Sequence, residues 1–310
     1  MKTAALLVCI KNYRLALTCV TCLAFAPVCA QEIQWQEMHE ALTPHLISAQ
    51  QENVRLTIAI LDLSTAPNAA RRVAVLGSPQ TYPPASTIKM LLLATLMQQV
   101  DAGVLRLSDT AIVEEDDIVG GYGVLQNEPR PQPVTLERLA QLMVTISDNT
   151  ATNVLVDVVG YPAMQTLADA LALQDMQFAR KMFGTPNPPA VENYITAADT
   201  LVLLREIYAG DFLSEQSRQQ ILTWMSAQTV KTKIAAGVPP GTPIAHKTGE
   251  NGAVSHDVGY ILIPGHELAL ALFAQSLLTD DFDQAQAQLN PLLANITRSI
   301  IAVVNRELID

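Results

Sequence analysis

The sequence predicts an α+β protein: an antiparallel sheet flanked by N- and C-terminal helices, with an all-helical part inserted between the two halves of the sheet. Three observations predict it. Apolar runs of β character lie near both ends of the chain, runs of helical period fill its middle, and amphipathic helices bracket the whole. In that order the sheet assembles from both chain ends and the helical region becomes an insertion.

Taken in order, Trp35 to Gln51 carries Met38, Leu42 and Leu46 at helical spacing. Leu56–Leu63 and Arg72–Leu76 are β-rich and flank Ser64-Thr65-Ala66-Pro67-Asn68, which reads as a hairpin. Pro83-Pro84 breaks the chain before Ser86–Val100, apolar nearly all round after its first turn, as a buried helix is. From about 105 to 225 the chain is mostly helical: one helix starts at Val134-Thr135-Leu136-Glu137, another covers Thr150–Val159, and Thr196–Tyr208 aligns Leu201, Leu204 and Ile207. Residues 184–189, Gly-Thr-Pro-Asn-Pro-Pro, form a loop. Strand character returns at Pro243–Thr248, Val254–Ile263 and Leu268–Ala274, the last two joined by the turn Pro264-Gly265-His266, and Leu289–Leu308 is helical. The α/β part is thus expected at about 31–82 and 226–310, and the helical part at about 83–225.

The first 30 residues read as a secretory signal peptide. Lys2, Lys11 and Arg14 precede the uncharged stretch Leu15–Ala26, and Val28 and Ala30 supply small residues for cleavage near Ala30. That stretch is short for a membrane span, which needs about 20 residues. All four cysteines (Cys9, Cys19, Cys22, Cys29) lie before the cut, so disulfides, thiolate-bound zinc and a cysteine nucleophile are excluded from residues 31–310. Removing three positive charges takes the formal charge from −11 to −14. Phosphate backbones repel such a chain, and a nucleic-acid partner is not expected. Export to the periplasm or medium, as a monomer without a membrane span, is the expectation.

Three short motifs stand in order: Ser86-Thr87-Ile88-Lys89, Ser147-Asp148-Asn149 and Lys247-Thr248-Gly249. A Ser-x-x-Lys alone is expected by chance roughly once in a chain of this size; the three together in suitable contexts are not. Ser86 opens a buried helix, near its positive dipole end, and Lys89 falls on the same face. A hydroxyl needs an adjacent base, and a lysine amine serves when burial or a nearby cation lowers its pKa. Lys247 can supply that cation. Ser147 can relay a proton to a departing nitrogen, and Asn149 can hold Lys89 or a substrate carbonyl. Lys247 and Thr248 can bind a substrate carboxylate, and beyond Gly249 the backbone N–H of Glu250 can join that of Ser86 in an oxyanion hole.

This trio resembles the signature of class A β-lactamases and penicillin-binding proteins. The segment Val134–Asn153, VTLERLAQLMVTISDNTATN, is similar to that family's central helices, and Gly120-Gly-Tyr-Gly-Val-Leu125 to its Gly-Gly-Ser-Gly-Val-Leu segment. His246-Lys-Thr-Gly249 and His256-Asp-Val-Gly259 resemble a class-A-like branch of exported serine hydrolases. The similarity covers essentially all of residues 31–310. It implies that Ser86 is acylated, Lys89 is its base and Ser147 the proton relay, that Asn149, Lys247 and Thr248 hold substrate, and that Asn153 is structural. No cofactor is implied, and the histidines show no metal spacing.

Two departures stand out. The resemblance calls for a Glu-x-x-Leu-Asn loop whose glutamate activates the deacylating water, whereas Met182 stands there, with Glu192 and Asp199 the nearby acids. His256 occupies about the position of a carboxylate-binding arginine, as a structural residue or a substrate ligand. Three readings follow: a β-lactamase, a D-Ala-D-Ala carboxypeptidase or transpeptidase acting on peptidoglycan stem peptides, and a β-lactam-binding sensor or pseudoenzyme.

Overall fold

A computed structural model describes residues 35–64, 73–184 and 191–307. The first 30 residues, read above as a signal peptide, with their cysteines, most of the expected hairpin turn and most of the loop at 184–189 lie outside the described residues. Within them the α+β arrangement is the observed one, and the strands order β2-β1-β7-β6-β5 in one antiparallel sheet. These are β1 (Val54–Asp62), β2 (Val73–Gly77), β5 (Ile244–Glu250), β6 (Val254–Ile261) and β7 (Leu268–Ser276). The first two come from one end of the chain and the last three from the other, and β1 joins them by pairing with both β2 and β7.

Both faces of this sheet are covered, and the period of two in β7 shows how. Leu268, Leu270, Leu272 and Ala274 pack into a core with α1 (Trp35–Gln51) and α9 (Phe282–Glu307), whereas Ala269, Ala271 and Phe273 point to the helical side. Helix α1 has the expected limits, because Met38 and Leu42 are buried and Leu46 packs against the same core. Helix α9 starts seven residues before Leu289: the Asp281 carboxylate accepts from Gln284 N at 3.0 Å and caps it, and Gln284, Gln286 and Gln288 thin the apolar pattern of its first turns.

On the other face lies α2 (Lys89–Asp101), every residue of which from Lys89 to Met97 is buried. It is surrounded by α3 (Leu136–Thr145), α4 (Asn149–Val159), α5 (Tyr161–Ala170) and α7 (Glu215–Ser226). Thr135, Asp148, Thr196 and Ser214 cap α3, α4, α6 (Ala197–Ala209) and α7 with side-chain oxygens. The helical region also holds a two-stranded ladder, β3 (Thr110–Val113) with β4 (Gln132–Thr135), which the mostly helical expectation did not contain. These strands are four residues long, too short for a legible alternation. A short α8 (Ile234–Gly237) packs on α9. Among the described residues no helix is long and apolar enough to cross a membrane.

Leu272 is fully buried at the centre of the sheet's outer core. Leu272→Ala is expected to lower unfolding free energy by about 2–5 kcal/mol in urea denaturation.

Candidate active site

Ser86 does not open an α-helix. It lies in a single 3-10 turn, Ala85–Ile88, after which α2 begins at Lys89. Ala85 enters this turn at φ +46°, a left-handed conformation unusual for a residue with a side chain. Two contacts fix the turn. The His256 imidazole donates from Nε2 to Pro83 O at 2.9 Å, and Gly249 of β5 packs directly on it. A Cβ at Gly249 would stand 2.9 Å from both Pro84 O and Thr87 N, so only glycine lets the strand come this close.

Lys89 is fully buried one turn beyond Ser86. Its amine donates to Ser147 O and Asn149 Oδ1, each at 2.8 Å, and to Ser147 Oγ at 3.2 Å. From the opposite side Lys247 of β5, equally buried, donates to the same Ser147 Oγ at 3.1 Å and to Thr248 O at 2.7 Å. Burial first, and then the charge of Lys247, pushes the Lys89 pKa well below the usual lysine range, against the pull of Asp148. Burial also lowers Lys247, to about 7, although Asp257 and Glu250 oppose the fall. The Ser147 hydroxyl therefore sits between two amines whose charge is disfavoured.

The second motif is held by its own neighbours. Ser147 has φ +61°, and Asp148 caps α4 through Ala151 N while accepting from Val124 N and Leu125 N at 2.7 and 3.0 Å. Asn149 Nδ2 donates to Gly120 O at 3.0 Å. Segment 120–125 is thereby fastened to the Ser-Asp-Asn turn. Ser86, Asn149, Glu250, Tyr122 and Met182 line one cleft of about 940 Å³.

A model of the beta-lactamase enzyme family matches residues 39–304. The chain belongs to this family. It is 29% identical over 191 residues to beta-lactamase AER-1 of Aeromonas hydrophila, covering 60% of this chain and 62% of that one, less than two thirds of the relative's length. It is 28% identical to the extended-spectrum beta-lactamase PER-1 of Pseudomonas aeruginosa, over 63% of this chain and 68% of that protein. Among solved structures it is similar to a beta-lactamase from Sphaerobacter thermophilus, with a TM-score of 0.76, 28% identity, and coverage of 88% and 99% of the two chains.

In this beta-lactamase-family chain the acids near position 182 fall in different places. Met182 lines the cleft, its backbone held from both sides by the Asn153 side chain, with Met182 N donating at 2.8 Å and Met182 O accepting at 3.1 Å. Glu192 also lines the cleft but accepts from Arg180 Nε at 2.5 Å. Asp199 is buried away from it and accepts from Asp175 N at 2.6 Å; burial raises its pKa.

His256 is structural. It is fully buried against Tyr82 and Phe273, and its Nδ1 accepts from Ala274 N at 3.3 Å while Nε2 donates to Pro83 O. Both ring nitrogens are committed to the chain.

The sequence reading missed Lys233. This buried lysine donates to the Glu250 carboxylate and, at 3.3 Å, to Thr232 Oγ1; Tyr122 OH donates to the other Glu250 oxygen at 2.6 Å. Glu250 was expected to act through its backbone, and its side chain is the better-defined feature. The local signal for Lys233 was weak: a single lysine before Ile-Ala-Ala-Gly gives no hint of a partner 17 residues on.

Burial lowers the His256 pKa from 6.5 to about 3, so the unfolded chain binds a proton there that the folded one does not. This contribution to stability is complete above pH 6.5 and is lost as pH falls toward 3, at up to about 1.4 kcal/mol per pH unit. His256→Gln is expected to flatten that part of the stability profile in denaturation series; equal slopes in the two proteins would remove His256 from the account.

Proposed function

We propose that the protein is an exported serine hydrolase that opens the amide of β-lactams through an acyl-enzyme on Ser86. The observation that carries this reading is the meeting of two buried lysines, from α2 and β5, on the Ser147 hydroxyl, two residues before Asn149, which lines the same cleft as Ser86.

The steps follow from that arrangement. Neutral Lys89 accepts the Ser86 hydroxyl proton as the oxygen attacks the lactam carbonyl. Negative charge on the carbonyl oxygen is met by the backbone N–H groups of Ser86 and Glu250, a type of contact whose loss costs about 100- to 1,000-fold in kcat. The C–N bond breaks, and the nitrogen takes a proton through Ser147, which Lys89 and Lys247 flank. Asn149, Lys247 and Thr248 hold the polar groups of the substrate. Water then cleaves the ester and restores Ser86.

Deacylation is the slow half. A thioether at Met182 cannot take a proton from water, and Glu192 is engaged with Arg180. This feature favours the carboxypeptidase or transpeptidase as the second reading, since a long-lived ester suits an acyl acceptor other than water. Cleavage of the first 30 residues near Ala30, action as a monomer, and division into a sheet part and a helical part belong to the same proposal.

With a chromogenic cephalosporin, the purified protein is expected to show a burst equal to its own concentration and then sustained slower hydrolysis. A burst that stops, with release of D-Ala from a D-Ala-D-Ala peptide, would favour the second reading. Ser86→Ala is expected to abolish covalent labelling by penicillin; persistent labelling would remove Ser86 from its role. Met182→Glu is expected to raise the steady rate about tenfold or more while leaving the burst amplitude unchanged, as a positioned general base contributes about 100- to 10,000-fold.

A further inference from the structure

The Glu250 side chain has no part in the steps above, yet it is placed with care. Residues 248 and 250 alternate onto one face of β5, so the carboxylate lies next along from the Thr248 hydroxyl. Its own exposure is 6%, and it lines the cleft, whereas Lys233 behind it is fully buried and does not. Glu250 thus stands between the cleft and an ammonium group. Lys233 is set there by its neighbours: the Asp257 carboxylate accepts from Ile234 N at 3.0 Å and pairs with His246 Nδ1 at 2.9 Å. Tyr122, from the opposite wall, closes the second Glu250 oxygen. The guanidinium on the cleft wall, Arg180, is likewise matched by Glu192.

We propose that Glu250 is a specificity-determining residue, an internal carboxylate that fills the anion position beside Thr248 and neutralises Lys233, so that the cleft favours β-lactams uncharged at that end over those bearing a carboxylate. The inference rests on the proposed acyl transfer to Ser86 and names its substrate class. A substrate carboxylate placed beside Thr248 meets a like charge, and like charges set against each other in a partly dry cleft strongly discriminate between ligands. An ester or amide at that end keeps the hydrogen bond to Thr248 without the repulsion. The backbone N–H of residue 250 is unaffected by its side chain, so charge selection separates from carbonyl activation.

The test compares a matched pair of acylating agents, benzylpenicillin and its methyl ester, by the second-order rate of covalent labelling at Ser86. The wild-type protein is expected to react with the ester at least as fast as with the acid. Glu250→Gln keeps an acceptor for Lys233 and uncovers its charge; it is expected to speed labelling by the acid about tenfold and by the ester less than twofold. Should that variant fail to fold, as judged by loss of its thermal transition, Lys233→Met/Glu250→Gln removes both charges, and the repulsion with them, and is expected to raise the acid-to-ester ratio, though less than the single variant would. A ratio unchanged or lower in the folded double variant would mean that the Glu250 carboxylate does not set the selection, which overturns the inference. So would an unchanged ratio in folded Glu250→Gln. Absence of labelling by either agent in wild type and variants alike brings down the acyl-transfer reading itself, and this inference with it.

Discussion

Two amines buried within reach of one hydroxyl cannot both remain charged at little cost. Lys89 and Lys247 are separated by no more than their two contacts to Ser147 Oγ, and neither has access to water. Burial is the larger cost and a nearby ammonium adds to it, Lys247 against Lys89 and Lys233 against Lys247, so the charged form of each amine is disfavoured. Much of the surrounding structure serves to impose that condition. Helix α2 is buried along its first nine residues, which keeps Lys89 dry, and Asn149 and the Ser147 carbonyl orient its amine.

Imposing it requires backbone conformations that side chains disfavour. Ala85, Ser147 and Phe183 all lie at positive φ and all stand at or beside the cleft. Each such residue costs on the order of 1–3 kcal/mol and persists where its surroundings over-determine it. The surroundings are visible here. His256 and Gly249 hold the turn after Ala85, Asp148 and Asn149 hold the turn at Ser147, and Asn153 holds the loop before Phe183. A neutral imidazole suits the first task, since a charged one could not accept from Ala274 N.

Charge is matched around the cleft as carefully as backbone. Lys233 is matched by Glu250 and Arg180 by Glu192, whereas Lys89 and Lys247 have no carboxylate in direct contact among the described residues. Of the two pairs only Lys233–Glu250 is buried, and a buried pair adds little to stability when compared with apolar side chains, so it is better understood through what it does to a ligand.

The amphipathic period of α1, the β-runs of β5 to β7 and the three motifs could be read from the chain because each is local: a helix face, an alternation, or a spacing of three residues. Met182 could be singled out in the same way, as one residue in a recognisable stretch. The four-residue strands β3 and β4, the 3-10 turn at Ser86 and the burial of Lys233 could not, since short strands carry too little pattern and a turn's pitch depends on what packs on it. Thus the sequence by itself determined where the three motifs stand and the order of elements that carries them. Only the tertiary structure decided that Lys89 and Lys247 share one hydroxyl across separations of 58 and 100 residues, and that Glu250 covers Lys233, because such contacts depend on how distant faces pack and not on any local period.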